Sequence, residues 1–495
     1  MKKQQEIEIP FLMALIPLVI MIALMAVTII KFEGSPHVPL LIGAAVAAAI
    51  GLRYGYKWDV IEEGAYKGIR MALPAIVIII LVGLIIGAWI GGGIVATMIY
   101  YGLKIITPSL FLVTICIICS IVTLAIGSSW STMGTIGVAG MGIGVSMGIP
   151  AAMVAGAVIS GAYFGDKMSP LSDTTNLAAG ITGTDLFEHI KHMIYTTIPG
   201  LIIALIVYFI LGRQFAGAAV DTGNISSILT ALESNFVISP WLLLVPLAVV
   251  VMVAKKVPAL PALAIGVLLG WLCHVFIQGG SVSDAVNTLH DGFAITSGNE
   301  MVDNLFNRGG IDSMMYTVSL TIVAMIFGGI MEQVGMLQAI VKQILKVAKS
   351  AGSLIAAGSL IAATVVSAFF TNATASEQYI SILLPGRMYA KAFRDKKLHS
   401  KNLSRALEDG GTVTSPLVPW NTCGVFIFAT LGVGTFAYAP YAVLNYTIPI
   451  ISITMAYLGL KVEFLSDEEI KALEEKEAKQ SEENGETEPS GSLLT

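Results

Sequence analysis

The chain is 495 residues long, enough for several soluble domains. However, 55% of its residues are hydrophobic and only 12% charged, which excludes an ordinary soluble protein and points to an all-α polytopic membrane protein. The net charge of −5 belongs to one end: residues 466–495 carry ten Asp and Glu against three Lys, a charge of −7, leaving the rest of the chain at +2. No Walker A motif, dinucleotide fingerprint or nucleophile elbow stands in a suitable context, which argues against a nucleotide-driven pump or a hydrolase, and nothing points to nucleic acid.

Phe11–Ile30 is a first span, longer than a signal-peptide core and followed by no cleavage-like site, and Val38–Leu52 is a short second one. Further apolar stretches run at about 73–100, 108–126, 136–149, 150–181 (interrupted), 194–211, 236–254, 258–277, 314–337, 352–368, 378–386, 406–430 (interrupted) and 441–460. Fifty glycines suit close helix packing and broken helices in lipid. Cys116, Cys119, Cys273 and Cys423 all lie in apolar stretches and read as small core side chains. The acidic end reads as a short amphipathic helix fading into a solvated tail.

The chain repeats itself at an offset of 242. Gly87 falls on Gly329, Gly93 on Gly335 and Lys104 on Lys346, and the polar tip 127–135 falls on 369–377. Further on, Ser169-Pro170-Leu171 with Asn176 is echoed by Ser415-Pro416-Leu417 with Asn421. Each half thus has two polar interruptions in the same order. If the first of each pair is the tip of a re-entrant hairpin and the second a break in a crossing helix, the positive-inside rule orients the chain. Twenty-three of the 28 Lys and Arg then fall on the cytoplasmic side with both termini, four fall outside, and Lys167 alone stays in the membrane. The repeats are then inverted, as in secondary transporters. Their expected organisation is N-terminal helices at 1–52, a first repeat at 53–211, connecting helices at 212–277, a second repeat at 278–460 and a cytoplasmic tail at 461–495.

The richest interruption is 161–176, Gly-Ala-Tyr-Phe-Gly-Asp-Lys-Met-Ser-Pro-Leu-Ser-Asp-Thr-Thr-Asn. The plainer reading is a solvated polar loop with capping hydroxyls. The charge distribution places it instead within a span, where a carboxylate costs about 2.5–3.5 kcal/mol and broken backbone survives only inside protein or along a watery cavity. Asp166, Asp173, Ser169, Ser172, Thr174 and Asn176 are hard oxygen donors of the kind small cations take, and a buried carboxylate can hold a proton in place of the cation. Lys167 is expected as the counter-ion of Asp166 or Asp173. The second break offers Thr414, Ser415 and Asn421. Glu408 and Asp409 beside it read equally well as an interfacial pair with Arg405. The hairpin tips supply Ser128, Ser129, Ser131 and Thr132 in one half and Thr371, Asn372, Thr374 and Glu377 in the other. Hydroxyls in membrane helices often only bond back to the helix, whereas Glu377 is a carboxylate at a tip. His189 and His192 are expected in a cytoplasmic loop.

The run Gly161–Ala178 closely resembles the signature of the NhaC family of sodium/proton antiporters, and length and repeat layout agree over nearly the whole chain except the acidic tail. The resemblance implies a multi-pass carrier of the bacterial inner membrane, surrounded by lipid, that exchanges Na⁺ for H⁺ without a cofactor. It makes Asp166 and Asp173 the sodium/proton carboxylates. Similar carriers in the family exchange malate and protons for lactate and sodium, so these two acids stay open as substrates. A homodimer is a further expectation.

Overall fold

The structure is a computed structural model that describes residues 8–32, 34–215, 222–255, 257–349 and 356–466. Of the tail expected at 461–495, residues 467–495 lie outside these residues. Six described helices are long and apolar enough to cross a membrane, or up to eight if two sharply bent helix pairs each count as one span. The chain is a polytopic membrane protein.

Two helices, α1 (Phe11–Phe32) and α2 (His37–Arg53), precede the first half. That half runs through the long α3 (Trp58–Gly91) and the short α4 (Ile94–Ile105) into α5 (Pro108–Ile126), whose chain turns back as α6 (Ser129–Thr132), a π-turn at Met133–Gly137 and α7 (Val138–Ser146). A broken helix follows, α8 (Ala151–Met168) and α9 (Asp173–Thr182), and then α10 (Leu186–Arg213). The connecting region holds α11 (Thr222–Asn235), α12 (Leu244–Ala254), α13 (Ala259–Phe276), α14 (Val282–Asp291) and α15 (Glu300–Phe306). The second half repeats the order of the first. It comprises α16 (Asp312–Gln333), α17 (Met336–Lys349), a hairpin of α18 (Ala356–Ala375) and α19 (Gln378–Asp395), and a broken helix with α20 (Ser400–Leu407) before the break and α21 (Thr422–Leu431) after it. It ends in α22 (Thr435–Tyr438) and α23 (Val443–Tyr457).

The hairpin turns have one backbone solution. Gly127 at φ 78° and Ser376 at φ 60° are left-handed, and Ser128 at φ −143° and Glu377 at φ −142° are extended N-caps of the returning arms. Their side chains accept from the backbone N–H of Ser131 and Tyr379 respectively. A left-handed serine is disfavoured by roughly 1–2 kcal/mol, which the matching glycine avoids. The same separation, 249 residues, relates the N-caps Ser172 and Asn421 of the two broken helices. This corrects the sequence register. The offset of 242 holds at the starts of α4 and α17, but seven more residues separate the start of α17 from its hairpin tip than separate α4 from its own, so the tip 127–128 matches 376–377 rather than 369–370.

The two hairpins open at opposite ends of α10, which is about 40 Å long at 1.5 Å per residue. Near its C-terminus, Gly212 lies so close to the Ser109 carbonyl at the first hairpin's mouth that a Cβ would sit 2.2 Å away. Near its N-terminus, the ring nitrogens of His192 lie 3.0 and 3.1 Å from the carbonyls of Lys401 and Lys461 beside the second hairpin's mouth. The hairpins therefore enter the molecule from opposite sides. Close backbone contact holds the two halves together: a Cβ on Gly68 of α3 would fall 2.0 Å from the Met325 carbonyl of α16.

Candidate functional site

Four helix ends converge where the first hairpin tip meets the first break. Asp166 occupies the last turn of α8 and is 7% exposed. Its Oδ2 accepts from Ser129 Oγ at 2.5 Å and from Ser129 N at 3.2 Å, and its Oδ1 accepts from Ser172 Oγ at 2.6 Å. One carboxylate thus ties a hairpin tip to the far side of its own helix break. Pro170 stops α8, and Ser172 caps α9 through Thr175 N. Ser172 Oγ lies 3.1 Å from Thr174 Oγ1, and Thr175 Oγ1 donates to the carbonyls of Asp166 and Lys167. The tip presses on the break so closely that a Cβ on Gly127 would meet the backbone of Leu171 at 2.6 Å.

A cavity of about 390 Å³ opens here, lined among others by Ser128, Ser129, Asp166, Asp173, Thr174, Glu377 and Tyr379. Three carboxylates thus face one space, and no Lys, Arg or His lines it among the described residues. Glu377 comes from the second half's hairpin tip, and Tyr379 from the same tip donates to Asp173 Oδ2 at 3.5 Å. Trp130 of the first tip stacks on Phe426 of α21, ring centroids 4.2 Å apart. Each hairpin tip therefore leans on the other half's broken helix.

The other candidates lie apart from this cavity. Asn372 donates to Gly411 O at 2.6 Å and to Thr414 Oγ1 at 3.0 Å, and Asn421 donates to Asn372 Oδ1 at 3.1 Å. Together they make a buried amide lock between the second hairpin and the second break. Thr371 and Thr374 bond back to their own helix, and Ser415 bonds Thr412 O. Ser131 donates to Ser128, Thr132 is buried, and Ser169 accepts from Leu171 N across the first break. Asn176 stitches that break by donating to the carbonyls of Pro170 and Ser172. Its sequence match to Asn421 is not structural, because Asn421 caps α21 and Asn176 lies a turn inside α9.

Lys167, expected against Asp166 or Asp173, instead donates to Asp409 at 2.5 Å, with both side chains fully buried. Arg405, Glu408 and Asp409, read as candidates for an interfacial group, are also completely buried. His189 and His192, expected in a loop, are buried on α10. The sequence pointed to Glu408 and Asp409 only through their position ahead of the second break.

The family model described as "Na+/H+ antiporter family" matches residues 161–460, beginning within α8 of the first broken helix and taking in the whole second half. The chain belongs to the Na⁺/H⁺ antiporter family. Among its relatives is the Na⁺/H⁺ antiporter NhaC of Alkalihalophilus pseudofirmus, 40% identical over 93% of this chain and 97% of the relative. Another is the NhaC of Bacillus subtilis, 38% identical over 92% of this chain and the relative's full length. The malate-2H⁺/Na⁺-lactate antiporter of Bacillus subtilis is 37% identical over 88% and 91% respectively. As an antiporter-family member the chain is a transporter and not an enzyme.

Proposed function

We propose that this antiporter-family chain exchanges Na⁺ for H⁺ by alternating access, with the cation held at Asp166. The single observation that carries this reading is the Asp166 carboxylate, buried and donated to by Ser129 and Ser172. Rotation of those two hydroxyls turns the same oxygens from donors into ligands, so Asp166, Ser129, Ser172 and Thr174 can replace part of a sodium hydration shell. Asp173 and Glu377 add negative charge to the cavity. The cavity also reaches Val257 and Pro258, in the link beside Lys255, a side the positive-inside rule makes cytoplasmic. On this reading the conformation is loaded from within, both termini are cytoplasmic, and the membrane is the bacterial inner membrane.

The exchange of malate and lactate is the competing reading. Three carboxylates line the cavity and, among the described residues, no cationic side chain does, which favours a cation over an organic anion. Reconstituted protein with a pH dye inside the vesicles tests the proposal. A proton flux on adding NaCl alone supports it. A flux that appears only with malate on one side and lactate on the other would replace Na⁺/H⁺ exchange with the anion reading.

A further inference from the structure

The last turn of α8 faces two different environments. Asp166 points into the cavity, while its neighbour Lys167 points the other way, into a cluster built by α10, α20 and the π-turn Glu408–Thr412. Asp409 accepts from Lys167 and from Thr196 Oγ1 at 3.0 Å, and Arg405 Nε approaches its other oxygen at 3.9 Å. Glu408 is next in the chain and 0% exposed, and neither of its carboxyl oxygens has a hydrogen-bond partner among the described residues. The Thr412 hydroxyl lies alongside without completing a bond. Glu408 is not among the residues lining the Asp166 cavity.

An orphaned carboxyl in a native interior needs a reason, and π-turns inside helices frequently mark functional positions. The charged groups facing Glu408 are Lys167 and Asp166 from α8 and Asp409 from its own turn. Of the segments packed beside it, α18 has no ionisable residue in its sequence and α23 has only the tyrosines Tyr446 and Tyr457. His189 of α10, itself buried with neither ring nitrogen partnered among the described residues, faces Lys167. We infer that Glu408 is the site of the exchanged proton, separate from the cation site at Asp166 and coupled to it through the turn that carries Asp166 and Lys167.

An ionised carboxylate without donors is costly to bury, so a proton bound to a Glu408 oxygen matches this setting while Asp409 holds Lys167. A cation arriving at Asp166 adds positive charge one residue from Lys167 and favours release of that proton. Departure of the cation favours its return. Beside Glu408, polar side chains reach inward from the surface: Glu463 lies 3.9 Å from His192 Nε2, which is 3.3 Å from Arg405 Nη1, and Arg405 Nε is 3.9 Å from Asp409. One proton leaves or joins one carboxyl oxygen, and no other bond changes.

This inference rests on the Na⁺/H⁺ reading, and the test separates the two. Full-length protein in vesicles is assayed for radioactive sodium uptake driven by a pH gradient, and for Na⁺–Na⁺ exchange without one. Glu408→Gln is expected to cut the first about tenfold or more while leaving the second within about twofold of wild type. Glu408→Asp is expected to restore gradient-driven uptake with a displaced pH profile, and this arm decides the matter should the glutamine variant fail to insert. Gradient-driven uptake by Glu408→Gln at the wild-type level and pH profile would overturn the inference, as would loss of both activities in Glu408→Gln protein that is present in the vesicle membrane. If the wild type itself shows no Na⁺-dependent proton flux, the Na⁺/H⁺ reading falls first.

Discussion

Lys167 and Asp409, 242 residues apart in the chain, form a fully buried ion pair 2.5 Å long that joins the two halves beside their broken helices. Removing one partner of such a pair strands the other charge and costs roughly 3–5 kcal/mol. The two single variants are not equivalent here, because Arg405 also faces Asp409. Asp409→Asn leaves two cations unpaired, whereas Lys167→Met leaves Asp409 with Arg405. Thermal unfolding in detergent is expected to show Asp409→Asn as the less stable. The double variant should recover part of the loss, and additive losses would show that the pair contributes nothing.

Much of this arrangement was legible in the sequence. The polar string 161–176 stands out because membrane depth penalises every charge in it, and Gly127 and Pro170 announce the chain reversal and the break through backbone chemistry alone. The Lys167–Asp409 pair was not legible, since neither residue carries a local signal for a partner in the other half. The hairpin register read from sequence is off by seven residues because the second half has seven more residues between the start of α17 and its tip. The Asn176–Asn421 match misled because a cap and a stitch can use the same amide at different turns.

Asp166 is expected to be indispensable. Asp166→Asn keeps a hydrogen-bonding side chain of the same size but cannot neutralise a cation, so Na⁺-dependent proton flux should vanish with the protein still in the membrane. Ser172→Ala removes one oxygen and should raise the apparent KM for Na⁺ about tenfold, equivalent to roughly 1.4 kcal/mol. Wild-type flux in Asp166→Asn would move the cation site elsewhere in the cavity.

Helix packing offers a test independent of transport. Gly68→Ala would place a methyl group 2.0 Å from the Met325 carbonyl, backbone that cannot step aside without parting α3 from α16. A loss of about 1–3 kcal/mol is expected. Gly180→Ala in α9 meets nothing within 4 Å and should stabilise by roughly 0.5–1 kcal/mol through the helix preference of alanine. A melting temperature of Gly68→Ala at or above that of wild type would contradict the α3–α16 contact.

On the surface, His290 at the end of α14 supplies a pH dependence of opposite origin to the buried groups. Its Nδ1 bonds Asp291 Oδ1 at 2.5 Å, and its Nε2 lies 3.8 Å from Asp312 at the start of α16. The hydrogen bond to Asp291, followed by the charge of Asp312, raises its pKa above the ordinary histidine value. The protonated form is therefore favoured in the folded state. The resulting stabilisation is fully present below the unfolded pKa of about 6.5 and is lost as pH rises through the higher folded value. Because the group is exposed, added salt should weaken it. The melting temperature of wild type minus that of His290→Gln, followed from about pH 5.5 to about pH 8.5, should fall with rising pH at low ionic strength and flatten at high. A difference that stays constant across that range would remove the α14–α16 link at His290.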